Sequence, residues 1–294
     1  MKISVSSYSF DQYIRAGKMS QLDCVKRAKE MGFDGVEFIE LKPNESPTLE
    51  EQIVYAKKIR EEAEKYGVEI IAYTIGANLY RSTESECKAE VERLKGQLDV
   101  AAALGAKVMR HDVCYSAVHN GRVVSFDKML PTIAKNACVV TEYAKTLGIK
   151  TCTENHGFIA QDSERVERLY NAVNSDNYGL LVDVGNFACA DEDSVSAVSR
   201  VAPYAVHVHV KDFIKYPFGT EPQENYDYIL TRGCNKIVAC AVGEGDIPVA
   251  QCLAILKRAG YNGYVSIEYE GAEDCINGIE KGKANLESFI EKLA

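Results

Sequence analysis

The chain has 294 residues, of which 46% are hydrophobic and 26% are charged, and this balance excludes disordered, collagen-like and coiled-coil proteins. The formal net charge of −9 repels phosphate backbones, so the sequence disfavours a nucleic-acid partner. The N-terminus lacks a secretory signal and no window holds the roughly 18 consecutive apolar residues of a membrane span, which predicts a cytoplasmic protein without membrane contact.

A repeated glycine pattern divides the chain into alternating elements. A helical stretch ends in Gly, and a short run of β-branched or aromatic residues follows, at Gly32, Gly67, Gly105, Gly148 and Gly260. Glycine is favoured just past the end of a helix because it adopts the left-handed conformation that satisfies the last carbonyl groups. Each repeat therefore predicts a helix, a tight loop and a strand.

Two of the predicted helices have recognisable starts. Thr48 with Glu51, and Thr83 with Glu86, have the spacing of a capping box, in which the hydroxyl and the carboxylate satisfy exposed amides reciprocally. From residue 53 to 63 apolar residues repeat at intervals of three and four. This periodicity predicts a helix with one buried face and one exposed face.

The sequence predicts eight strands in all, near residues 3–7, 35–39, 69–74, 106–111, 149–154, 179–183, 205–210 and 264–269. Helices fill the intervals, and a last helix is predicted near 283–293. Strands that alternate with helices pair in parallel, and eight such units in about 250–300 residues are typical of a closed (β/α)8 TIM barrel. An open doubly wound sheet is the alternative, but the chain has no G-x-G-x-x-G or Walker A motif to accompany it.

No linker or change of composition divides the chain, so residues 1–294 are predicted to form a single barrel domain. The interval from 212 to about 245 is longer than a simple connection and is predicted to be an active-site loop insertion. The ten cysteines include no C-x-x-C pair, and we expect them to be small, buried, hydrophobic residues of a reducing compartment.

Polar side chains end each of the last four predicted strands, at the edge where barrels of this kind carry their active sites. The candidates are Glu154, Asn155 and His156, then Asp183 and Asn186, then His207, His209 and Lys211, and finally Glu268 and Glu270. Each one alone is equally accounted for as a helix cap, a salt-bridge partner or, for His207, a structural histidine. As a set on consecutive strands they predict a metal site, because a divalent cation offsets the cost of burying several carboxylates.

Several motifs resemble those of the xylose isomerase-like TIM barrels, the sugar phosphate isomerases and epimerases. They are ENHG at 154–157, DVGN at 183–186, HVKD at 209–212, GEG at 243–245 and SIEYE at 266–270. The resemblance spans nearly the whole chain and implies that Glu154, Asp183, His209 and Glu268 are the metal ligands. Three carboxylates and one imidazole suit Mn²⁺ first, with Mg²⁺, Co²⁺ or Zn²⁺ as alternatives. A multinuclear zinc nuclease would need more imidazoles than five histidines supply.

The resemblance to ketose 3-epimerases implies a reaction at the carbon next to a sugar carbonyl. Glu154 and Glu268 would be the acid and base on opposite faces of an enediolate, with Lys211 and His111 in contact with the substrate. Asn186 stands where those enzymes place a substrate-binding histidine, so it is a further candidate for substrate binding, and the identity of the sugar is open.

Two alternatives accompany this prediction. In the catalytic subunits of C-glycoside deglycosidases, which share the barrel, an E-N-H stretch supplies a histidine that deprotonates an oxidised sugar. His156 would then be the base of a lyase that cleaves 3-oxo-C-glycosides and has a small β-rich partner subunit. The second alternative is a barrel that binds a sugar without catalysis. In each case the expected ligand is a small sugar or glycoside, and the barrel is expected to be a homo-oligomer.

Overall fold

A computed structural model describes residues 1–222 and 226–293. Eight parallel strands close into a barrel in which each strand pairs with its neighbour along the chain and the last pairs with the first. The strands are β1 (Lys2–Ser6), β2 (Gly35–Ile39), β3 (Glu69–Ile75), β4 (Val108–His111), β5 (Lys150–Glu154), β6 (Tyr178–Asp183), β7 (Ala205–Val210) and β8 (Tyr264–Ile267). The predicted (β/α)8 barrel is confirmed, and every predicted strand overlaps an observed one.

Helices surround the barrel. They are α1 (Asp11–Arg15), α2 (Asp23–Glu30), α3 (Leu49–Tyr66), α4 (Glu84–Leu104), α5 (Phe126–Thr146), α6 (Ser163–Val173), α7 (Ser194–Val201), α8 (Val249–Arg258) and α9 (Cys275–Glu291). Both predicted capping boxes form at the starts of α3 and α4, and both helices end at a left-handed glycine. Within the described residues, no helix is both long enough and apolar enough to cross a membrane.

The alternation of strand side chains separates an apolar shell from a polar barrel interior. Val5, Phe38 and Val182 face outward and belong to the hydrophobic core between strands and helices. The residues next to them in sequence, which include Glu37 and Asp183, face inward and are fully buried as well. Glu37 and Asp183 therefore lie in a polar layer near the axis of the barrel.

The cysteines mostly follow the prediction. All ten are free thiols, and seven of them are buried. Cys138 and Cys240 are partly buried, and Cys234 lies exposed in the segment between β7 and α8.

The last helix begins earlier than the sequence predicted. Helix α9 starts at Cys275 because Asp274 caps it, accepting hydrogen bonds from the backbone N–H groups of Ile276 and Asn277. Gly278 lies within this helix, where a Cβ atom would be 2.3 Å from the ring of Tyr269. The glycine therefore allows close packing of the helix and does not end it.

The segment between β7 and α8 carries a small antiparallel sheet of its own, with strands at Asp212–Tyr216, Ile229–Leu230 and Lys236–Cys240. Its two ends are joined by the carboxylate of Asp212, which accepts hydrogen bonds from the backbone N–H groups of Gly243, Gly245 and Ile247. A Cβ on Gly245 would lie 2.2 Å from Asp212 Oδ1, which explains the glycine of the GEG motif. Residues 223–225, within the predicted insertion, lie outside the described residues.

Candidate metal centre

Four side chains converge at the carboxyl-terminal mouth of the barrel. Glu154 ends β5, Asp183 ends β6, His209 lies near the end of β7, and Glu268 directly follows β8. One ligand atom from each lies within 4.8 Å of the ligand atoms of the other three. The structure thus brings together the four residues that the family resemblance implied.

The spacing within this quartet suits a divalent ion. His209 Nδ1 lies 3.7 Å from Glu154 Oε1, 4.0 Å from Asp183 Oδ2 and 3.6 Å from Glu268 Oε2. Two ligands that are each about 2 Å from one ion are separated by roughly this distance. Asp183 Oδ2 and His209 Nδ1 are buried and have no hydrogen-bond partner among the described residues. Buried polar atoms of this kind need a partner, and a cation between them would be one.

The two carboxylate oxygens of Asp183 lie in different surroundings. Its Oδ1 atom accepts hydrogen bonds from the backbone N–H groups of Gly185 and Asn186, at 2.8 and 3.0 Å, and this fixes the turn after β6. Its Oδ2 atom faces the quartet. Burial, together with the neighbouring carboxylates of Glu154 and Glu268, raises the pKa of Asp183 to about 6.

Glu154 is held through both of its oxygens. Arg110 Nη2 lies 2.7 Å from Oε2, and the side-chain amide of Asn186 donates to Oε1 at 2.8 Å. Burial raises the pKa of Glu154, but Arg110 and His209 outweigh it and bring the pKa to about 2. Asn186, predicted to bind substrate, is buried beneath Glu154 and is not among the residues that line the cavity described below.

Lys211 links the carboxylates on the other side of the mouth. Its ammonium group forms an ion pair with Glu268 and lies 3.2 Å from Glu270 Oε1 and 3.4 Å from Asp183 Oδ2. Burial raises the pKa of Glu268, but Lys211 and His209 outweigh this effect and hold it well below its usual range. Glu268 is therefore ionised at neutral pH.

His156 lines the mouth next to the quartet. It is oriented by Asp112, which the sequence analysis did not identify as a site residue. Its Nδ1 atom lies 3.0 Å from Asp112 Oδ1, and Arg110 Nη2 lies 2.9 Å from the same oxygen. Arg110 thus connects Asp112 to Glu154. The alternation of β4 was the available signal, because it directs Arg110 inward when the neighbouring residues face outward.

His111, predicted to contact the substrate, lies on the opposite side of β4 from Arg110. Its ring is fully buried next to Tyr178, and its Nδ1 atom lies 2.8 Å from the backbone carbonyl oxygen of Asp112. Burial lowers the pKa of this imidazole. The structure does not place His111 at the mouth of the barrel.

A second buried cluster lies below the quartet. Both oxygens of Glu37, on β2, face imidazoles of β7: Oε2 lies 2.5 Å from His207 Nε2, and Oε1 lies 2.7 Å from His209 Nε2. Burial raises the pKa of Glu37, but the two imidazoles outweigh it and hold the pKa well below its usual range. Glu37 was missed in the sequence because it lies within the apolar strand GVEFI.

A cavity of about 310 Å³ opens above the quartet. It is lined by Tyr8, Ile39, Glu40, Lys42, Thr74, Ile75, Gly76, Arg110, Glu154, His156, His209, Lys211, Glu268 and Glu270. Its volume is at the lower end of the range for small-molecule sites, and its lining is rich in hydrogen-bonding groups. The cavity therefore suits a small, polar ligand.

A family model, curated relatives and solved structures match this chain. The sequence model of a family described as the xylose isomerase-like TIM barrel matches residues 25–292. The rhizopine catabolism protein MocC of Rhizobium meliloti is 26% identical over 286 residues, which cover 92% of this chain and 81% of that protein. An inosose dehydratase of Mesomycoplasma hyopneumoniae strain J is 23% identical over 280 residues, which cover 92% and 88%. The crystal structure of IolI protein with a bound zinc atom shares the fold, with a TM-score of 0.76 at 16% identity over 100% of this chain and 99% of that one.

Proposed function

This chain belongs to the xylose isomerase-like TIM-barrel family, and we propose that it is a divalent-metal-dependent isomerase or epimerase of a small keto-sugar or keto-cyclitol. The observation that carries the proposal is the convergence of three carboxylates and one imidazole at the mouth of the barrel. Glu154, Asp183, His209 and Glu268 would hold the ion. Manganese suits this oxygen-rich set best, and magnesium, cobalt or zinc are the alternatives.

A divalent ion at this position supplies Lewis acidity, which polarises a substrate carbonyl and acidifies the neighbouring C–H bond. The protein's own residues move the proton. Glu154 and Glu268 approach the mouth from β5 and β8, and one carboxylate takes the proton from the carbon while the C–H electrons enter an enediolate. Return of a proton from the other carboxylate to the opposite face inverts that carbon, and return to the neighbouring carbon yields the isomer.

Neighbouring groups control the ionisation and the orientation of these two carboxylates. Lys211 holds Glu268 ionised, and Arg110 and Asn186 hold Glu154 in one orientation. Polar side chains at the rim, which include Thr74, would bind the hydroxyl groups of the substrate. The curated relatives named for inosose and rhizopine make a keto-cyclitol the first substrate to test.

A second candidate reaction is elimination, and the pairing of His156 with Asp112 favours it. With Nδ1 facing Asp112, the other ring nitrogen has no hydrogen-bond partner among the described residues, and the ring lines the cavity. In an elimination, a carboxylate takes the proton next to the carbonyl and the C–H electron pair forms a double bond as a hydroxyl leaves the next carbon. His156 would donate the proton that converts this hydroxyl to water. Cleavage of a 3-oxo-C-glycoside, with a small β-rich partner subunit, is the variant in which the aglycone leaves instead.

Isotope exchange tests the proposal. The protein is loaded with Mn²⁺ and incubated in D₂O with a panel of ketoses, inososes and 3-oxo-glycosides, and deuterium at the carbon next to the carbonyl is measured by NMR. We expect exchange in the wild type and its loss in Glu154→Gln and Glu268→Gln, with metal content and circular dichroism recorded for each variant. Elimination is recognised by loss of water or of the aglycone from the product. Absence of exchange with every substrate, or full activity in either variant, contradicts the proposed reaction.

A further inference from the structure

Glu37 is a fully buried carboxylate that lies outside the quartet and reaches across the interior of the barrel. It belongs to β2, whereas both of its partners, His207 and His209, belong to β7. Strands β1 and β8 separate these two strands around the barrel. The contact of Glu37 with the imidazoles is therefore made through the interior and not between paired neighbours.

Small side chains on the intervening strands make room for this contact. Ser4 and Ser6 on β1, and Ser266 on β8, are fully buried, and by strand alternation they face the interior on the same side as Glu37 and Glu268. The apolar neighbours Val5 and Ile267 face outward into the hydrophobic core. The barrel thus has a polar interior layer in which an ionised carboxylate is costly unless N–H groups surround it.

The geometry of this cluster determines which imidazole nitrogens carry protons. A carboxylate only accepts hydrogen bonds, so the imidazole of His207, which is hydrogen-bonded to Glu37 Oε2, must carry a proton on Nε2. His209 Nε2 lies 2.7 Å from Glu37 Oε1 as an ion-pair contact without hydrogen-bond geometry, and the nearby negative charge favours a proton on this nitrogen as well. In a neutral imidazole the other nitrogen then carries a lone pair. For His209 that nitrogen is Nδ1, which lies among Glu154, Asp183 and Glu268 and has no hydrogen-bond partner within the described part of the chain.

We infer that Glu37 is a positioning residue that holds His209 with its Nδ1 lone pair directed at the cation site. The inference rests on the proposed function, because it assumes that the quartet binds a divalent ion. His207 is the second arm of the arrangement: it contacts the other oxygen of Glu37 and prevents the carboxylate from rotating away from His209.

The test measures metal binding. In Glu37→Gln the side chain keeps its shape, but its amide N–H₂ would face one imidazole and favour the opposite tautomer. Mn²⁺ affinity is measured by calorimetry, and the absorption spectrum of the Co²⁺-loaded protein reports the ligand geometry. We expect the affinity to fall by about 10- to 100-fold, as is typical for partners that orient a metal-binding histidine, together with a changed Co²⁺ spectrum. Glu90→Gln is the matched control, since it removes a buried carboxylate that contacts Arg93 and the backbone N–H of Asn78 but no imidazole and does not line the cavity, and it should leave both readouts nearly unchanged.

A measurement on the wild type keeps the inference testable if Glu37→Gln does not fold. In protein labelled with ¹⁵N-histidine and loaded with diamagnetic Zn²⁺, the His209 signals should show a metal-bound Nδ1 and a protonated Nε2. Binding through Nε2 overturns the inference, as does a Glu37→Gln variant that folds and binds Mn²⁺ as tightly as the wild type. In those two cases the proposed function stands. A wild type that binds metal without any proton exchange contradicts the proposed reaction alone, and a wild type that binds no metal overturns both.

Discussion

The two halves of the barrel mouth differ in composition and in burial. The half formed by the ends of β5 to β8 carries the quartet, whose members are buried or nearly so and contact one another. The half formed by the ends of β1 to β4 carries mainly uncharged wall residues such as Tyr8, Ile39 and Thr74. The charged residues of this half are Glu40 and Lys42, which follow β2, and Arg110, which extends from β4 to form an ion pair with Glu154. Under the proposed function, one half would hold the ion and the other would shape the space for the substrate.

The largest expected effect is on the free energy of unfolding, and it is expected at Arg110, which connects the two halves through its ion pair with Glu154. Arg110→Met leaves Glu154 and Asp112 as buried carboxylates without their shared cation, which should destabilise the protein by about 3–5 kcal/mol. The measurement is unfolding in urea. Arg168→Met is the control, because the pair of Arg168 with Asp127 is exposed and its loss should cost at most about 1 kcal/mol. Equal losses of unfolding free energy in the two variants would show that Arg110 contributes no more to stability than an arginine in an exposed ion pair.

Removal of a charge from the quartet should separate metal binding from folding. Asp183→Asn is expected to weaken Mn²⁺ affinity by more than about 100-fold, since the loss of a ligand exceeds the effect of losing an outer partner. The metal-free variant should be more stable than the metal-free wild type at pH 7. The reason is that the raised pKa of Asp183 lowers the free energy of unfolding of the wild type as the pH rises from about 4, where the unfolded chain loses this proton, and the full cost is reached above about pH 6.

Calorimetry and urea unfolding at pH 5 and pH 7 check both effects of Asp183→Asn. The stability difference between variant and wild type should shrink at pH 5, where Asp183 is largely protonated in the folded protein. A variant that binds Mn²⁺ like the wild type would remove Asp183 from the ligand set.

A smaller effect is expected at Asn186, and it distinguishes positioning from substrate binding. Asn186→Ala removes the hydrogen bond to Glu154, which as a bond to a charged group is worth about 1.5–3 kcal/mol, so kcat should fall by roughly tenfold or more with KM little changed. Asn186→Asp places a second negative charge beside Glu154 and should lower kcat further. A rise in KM with unchanged kcat would instead support the sequence-based expectation that Asn186 binds the substrate.

The smallest effect on catalysis is expected at the cavity wall in the half formed by β1 to β4. Tyr8 lines the cavity, and no hydrogen bond from its hydroxyl is found among the described residues. Tyr8→Phe should therefore change KM by a few-fold and leave Mn²⁺ affinity and stability within about 0.5 kcal/mol of the wild type. Steady-state kinetics and calorimetry on the same sample check this. A large loss of metal affinity would show that the two halves are not separable.

The sequence predicted the fold and the location of the candidate site well for a specific reason. Each glycine stop, each capping box and each strand is encoded within a few neighbouring residues, and the regular β/α alternation leaves few topologies open. The quartet followed from the rule that active-site residues lie at the ends of barrel strands, together with a family resemblance. Helix α9 shows the limit of local patterns, because Gly278 allows packing on Tyr269 and does not end the helix.

The residues that the sequence analysis missed depend on contacts between strands far apart in the chain. Glu37 gives no signal within its own strand, and its role emerges only when β7 brings two imidazoles to it from 170 residues away. His111 and Arg110 are neighbours in sequence, and the facing of β4 determines which of them reaches the mouth.

Local sequence by itself determined the alternation of helices and strands, the parallel barrel and the four strand ends that carry ligand-type side chains, because backbone preferences and side-chain periodicity act over short distances. Only the tertiary structure decided which polar groups touch: Arg110 and Asn186 on Glu154, Asp112 on His156, and Glu37 on two histidines. The physical reason is that charges and hydrogen bonds act over a few ångströms in space, and closure of the barrel sets those distances.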